Sequence, residues 1–116
     1  MDDEWGRDPS VQRMRRIFAA IDAKQARLLD GAGIHRFDKR LSRWRKAALR
    51  LFEQSWSRAA QAGVPFGEKD ISDLYLHCLA RILCSRGVTI PDRALPVNPA
   101  VARIMGDKKP GGGEER

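Results

Sequence analysis

Residues 68–86, EKDISDLYLHCLARILCSR, decide the fold. Ile71, Tyr75, Cys78 and Ile82 step four, three and four residues apart, the spacing of one helix face. Leu74, Leu76, Leu79 and Leu83 widen that face to more than half the circumference, so this is predicted to be the central helix of a small domain. Gly87 is its natural stop, because glycine takes the left-handed conformation that ends a helix without steric penalty.

Two more helices precede it. Asp8-Pro9 reads as an N-cap followed by proline at the first helical position. Met14, Phe18, Ile21, Gln25 and Leu28 then recur at helical spacing until Gly31 and Gly33 stop the run. A second helix is predicted to start between Ile34 and Asp38 and to end at Ala62-Gly63, with Phe37, Leu41, Trp44, Ala48, Leu51 and Ser55 as its core positions. After Gly87 the chain turns extended around Pro91 and Pro96. Asn98-Pro99 looks like another N-cap, opening a short helix through Val101, Ile104 and Met105. The predicted fold class is therefore all-α: a compact three-helix up-down-up bundle with a short C-terminal fourth helix. The bundle spans 8–105, between a disordered acidic N-terminus, 1–7, and a disordered tail, 106–116.

Charge is distributed unevenly over this framework. The whole chain is +7, yet residues 9–62 alone carry thirteen Lys or Arg against four Asp or Glu, a local charge of +9. Arg36, Lys39, Arg40, Arg43, Lys46 and Arg50 fall on one face of the predicted second helix, and Asp38 is the one acid between Arg36 and Arg50. Solvated helix faces ordinarily mix signs, with Glu placed to pair with Lys or Arg. A cationic stripe this pure points to an acidic partner, and nucleic acid contacted through its backbone is the commonest one. Base readout is not expected. The best candidate for a recognition helix, in Gly63–Arg86, would lead with Glu68, Lys69, Asp70 and Asp73, and acids there repel phosphate. Arg13, Arg16, Lys24 and Arg27 form a looser basic face on the first helix.

The alternative is a protein–protein adaptor. Phe52 and Trp56 sit at the edge of the apolar face of the second helix, where they either pack in the core or anchor a protein partner or a second copy of the chain. The acidic, tryptophan-bearing start, Asp2-Asp3-Glu4-Trp5, is a segment that a basic face would attract.

Catalytic chemistry is not expected. The two histidines are His35 and His77 and the two cysteines Cys78 and Cys84. Asp73 and His77 stand four residues apart and read as a surface pair, with Cys84 a partly buried small residue. Cys84 lies about 10 Å of helical rise from His77, too far for a nucleophile–base pair. These residues do not converge to the three or four ligands of a zinc site, so no metal and no cofactor is expected. Gly31-Ala32-Gly33 lacks the strand and the Lys-Ser/Thr of a phosphate loop. No apolar run reaches the roughly 18 residues of a membrane span, and the acidic N-terminus is unlike a secretory signal, so the expected compartment is the cytoplasm.

Overall fold

The computed structural model describes residues 8–105, and the segments 1–7 and 106–116, both predicted disordered, lie outside the described residues. Three long helices, α1 (Pro9–Gly31), α2 (Leu41–Ala62) and α3 (Glu68–Ser85), are followed by a single 3₁₀ turn (Asp92–Ala94) and a short α4 (Pro99–Met105). All regular structure among the described residues is helical.

The helix ends follow from local chemistry. Asp8 accepts the Ser10 amide at 2.8 Å, and Pro9, which has no amide proton to satisfy, follows it. Gly67 and Asp70 close the start of α3, the Asp70 carboxylate accepting the Gly67 N–H at 2.9 Å. All three long helices finish in the same way. The residue after a glycine donates back to the carbonyl five residues earlier: Ile34 to Leu29, Val64 to Ala59 and Val88 to Leu83. Gly33, Gly63 and Gly87 hold φ of 73°, 70° and 86° in these turns, a conformation that a side chain would strain.

α3 is the central helix. Leu74, Leu76, Cys78, Leu79 and Leu83 are fully buried, at roughly 1.5–3 kcal/mol for each large apolar side chain withdrawn from water. α1 contributes Leu28 and Leu29 to this core, α2 contributes Leu41, Trp44 and Ala48, and α4 closes it with Val101 and Met105.

Both α1 and α2 pack closely on α3, but their backbones stand apart from each other: no Cα of α1 comes within 8 Å of a Cα of α2. The bundle is therefore open along one side. Met14 and Phe18, predicted as part of the apolar stripe of the first helix, are consequently 54% and 58% exposed, because the helix that would cover them stands away.

The start of the second helix also differs from expectation. α2 begins at Leu41, and Arg36–Arg40 form two turns ahead of it. Asp38 causes the delay. Its carboxylate accepts the Arg40 amide at 2.9 Å, offering the backbone a local alternative to helix. Phe37, predicted as a core position, is thereby placed in the loop with 78% of its surface exposed.

Candidate interaction surface

The predicted cationic stripe is divided by the late start of α2. Arg36, Lys39 and Arg40 belong to the loop and the helix entry, while Arg43, Lys46 and Arg50 project from α2. All six are exposed, but Arg40 is already engaged. It donates to both carboxylate oxygens of Asp38, at 3.0 and 2.8 Å, and its guanidinium lies 4.7 Å from the centre of the Trp44 ring. Those hydrogen bonds hold the Asp38 carboxyl down at about 2. Arg36 lies over the Phe37 ring at 5.6 Å. Arg36, Lys39, Arg43, Lys46 and Arg50 take part in none of the ion pairs of the described residues.

Two of the four residues of the looser basic face predicted on α1, Arg16 and Lys24, are used internally. Arg16 grips Glu68 through two hydrogen bonds, at 3.0 and 2.7 Å. Lys24 turns inward to Asp73. That aspartate, read from sequence as a surface partner of His77, is fully buried. One of its oxygens accepts from Lys24 at 2.7 Å, and the other from Lys69 at 3.1 Å and Asn98 at 2.9 Å. Burial pushes the Asp73 carboxyl up, but the three donors outweigh it and hold it below the usual carboxylate range. Asn98 also donates to Asp70 at 2.8 Å while its own carbonyl caps α4 through the Ala100 and Val101 amides. Asp73 is thus a polar knot joining α1, α3 and α4. His77 instead bonds the Pro96 carbonyl at 2.7 Å and pins the extended segment. Cys84, predicted partly buried, is exposed, whereas Cys78 is enclosed, and burial pushes its thiol up to about 11.

Among the described residues no three His, Cys, Asp or Glu side chains converge on a point where a metal ion could bind. No described helix is long and apolar enough to cross a membrane.

The opening between α1 and α2 forms a groove of about 530 Å³. Ile17, Phe18 and Ile21 line the α1 wall, Leu49 and Phe52 the α2 wall, and Ile71 and Tyr75 of α3 the floor. Its apolar character continues past these residues. Met14 lies one turn before Phe18 on the same face, and Trp56 stacks on Phe52 with ring centres 6.1 Å apart and planes at 16°. Phe66 meets Trp56 edge-on at 5.7 Å, and Tyr75 meets Phe52 at 6.3 Å. Among the described residues, four of the six exposed large hydrophobic residues, Met14, Phe18, Leu49 and Trp56, belong to this one tract. Their apolar surface is thus gathered along the open side of the bundle rather than scattered.

The polar groups in the groove are unevenly placed. Arg45 and Lys46 stand on the α2 wall, Asp22 and Gln25 on the α1 wall. The Nε of Arg45 is buried and has no hydrogen-bond acceptor. Sequence reasoning found Phe52 and Trp56 but missed Arg45 and the α1 wall. A signal was present for Arg45: it lies four residues after Leu41 and three before Ala48, on the apolar side of α2, where an arginine needs a reason.

Comparison with protein-family models, with curated proteins and with solved structures finds no match for this chain.

Proposed function

We propose that this chain is a non-catalytic interaction module whose working surface is the groove between α1 and α2, and that its partner is a protein segment that is both apolar and acidic. The observation that carries this reading is the unfilled apolar cleft with cations along its α2 wall. A bundle that needed only to fold would close α1 onto α2 and bury Phe18 and Leu49. Leaving them open forgoes roughly 25 cal/mol for every Å² of apolar surface that could have been covered. A partner that covers them recovers this term, and Arg45 and Lys46 favour a partner carrying negative charge.

The test is a random peptide library panned on the full chain and counter-selected on Leu49→Glu. Leu49 is about half exposed and glutamate is a good helix former, so the variant keeps its fold while placing a charge inside the groove. Peptides enriched on the parent and lost on the variant support the reading. No enrichment of the parent over the variant contradicts it.

A second reading, contact with a nucleic acid backbone, is favoured by a separate observation: Arg36, Lys39, Arg43, Lys46 and Arg50 are exposed and free of ion pairs. It would use the loop and the outer side of α2, with Phe37 exposed among the cations. Phosphates satisfy such a surface without filling the groove. Binding that falls steeply with salt and survives Leu49→Glu would favour this reading.

A further inference from the structure

We infer that the segment filling the groove is an amphipathic α-helix that places a carboxylate on the guanidinium of Arg45. This rests on the groove being the partner site and specifies what enters it.

Both walls and the floor are α-helices, whose N–H and C=O groups are consumed within each helix. Such a groove offers no free backbone edge to an extended peptide, which would bury its own unpaired polar groups. A helix arrives with those groups already satisfied.

Dimensions agree. From Met14 to Gln25 the α1 wall rises about 16 Å, three helical turns, which suits a partner anchored at i, i+4 and i+7. A small molecule confined to the groove would leave Met14 and Trp56 in water, whereas a helix laid along the tract covers them. The missing contact between α1 and α2 is thus replaced by two new ones, each to the incoming helix.

Charge then fixes its orientation about its own axis. Arg45 and Lys46 face the groove from α2, while the carboxylate of Asp22 faces it from α1. An acid on the flank of the partner that meets α2 gains charge-assisted bonds to the Arg45 guanidinium, whose two terminal nitrogens can take both carboxylate oxygens while the Nε stays enclosed by the chain itself. The same acid on the opposite flank would meet Asp22. The preferred helix therefore carries Asp or Glu along one edge of its apolar face only.

The experiment is the sequence pattern of the peptides selected on the parent, using a library of about 15 residues, four turns of helix. The expected pattern is apolar residues at i, i+4 and i+7 with Asp or Glu enriched along one flank. Replacing that acid by its amide, or Arg45→Gln in the protein, should each weaken binding about tenfold, the scale of one hydrogen bond to a charged group. Making both changes together should cost no more than either alone. Selected peptides with alternating or proline-rich patterns overturn the helix. Binders without an acidic flank, or indifferent to Arg45→Gln, overturn the carboxylate contact. A parent that enriches nothing over Leu49→Glu overturns the groove reading beneath both.

Discussion

Asp73 shows most clearly how one residue organises this domain. It is a fully buried carboxylate on the central helix, held by a lysine from α1, a lysine from its own helix and the asparagine that caps α4. Its removal leaves Lys24, only 28% exposed, without its acceptor, whereas Lys69, 71% exposed, can turn to water. Asp73→Asn should therefore lower unfolding stability by about 2 kcal/mol in urea denaturation, and a midpoint equal to that of the parent would show that the network is incidental. The pH dependence has a definite sign. The Asp73 carboxyl is lowered in the folded state, so its contribution is present above the ordinary aspartate range near 4 and is lost as pH falls through its folded value. Asp38, Glu68 and Asp70 are lowered too. The melting temperature of the parent should decline below about pH 4, and Asp73→Asn should decline less steeply. Sequence spacing paired Asp73 with His77 because both fall on one helical face. It could not show that Lys24 and Asn98, 49 and 25 residues away, reach the same carboxylate.

Among the elements, α3 was the most legible, because its apolar surface is wide enough to mark it as central whatever surrounds it. The caps at Asp8 and Asn98 and the stops at Gly33, Gly63 and Gly87 were legible as well, being local chemistry with fixed residue requirements. The entry of α2 was not. A heptad-like run from Phe37 onward reads as helix, yet one Asx-type bond from Asp38 postpones the helix to Leu41. That shift splits the basic stripe and exposes Phe37. The α1 stripe misled for another reason. Periodicity identifies which side of a helix is apolar, but it cannot say whether that side is covered from within the chain or from outside. Met14 and Phe18 are apolar by pattern and open by placement. The double variant Met14→Ser, Phe18→Ser should accordingly melt within about 0.5 kcal/mol of the parent, since uncovered side chains contribute little to folding. A large loss of stability would mean that α1 and α2 close on each other in solution.

At the scale of the molecule, the charge asymmetry and the open side converge on α2. Its outer surface and the loop before it are cationic, and its inner edge lines the groove. These two features make separable predictions. Should four of the free cations meet phosphates, the logarithm of the affinity for duplex DNA would fall with the logarithm of salt at a slope of about −3.6. Arg36→Gln with Arg43→Gln would then flatten that slope by about 1.8 without moving the melting temperature. A slope near zero would assign these cations to solvation. The groove makes the stronger claim. Anilinonaphthalene sulfonate, an apolar body with one anionic group, imitates the partner chemistry, and titrating it against the folded chain tests that claim most directly. Dye emission should rise saturably at one site, the rise abolished by Leu49→Glu and weakened by Arg45→Gln, with all three proteins melting cooperatively. Equal dye binding by the parent and Leu49→Glu, or none by the parent, would contradict that claim.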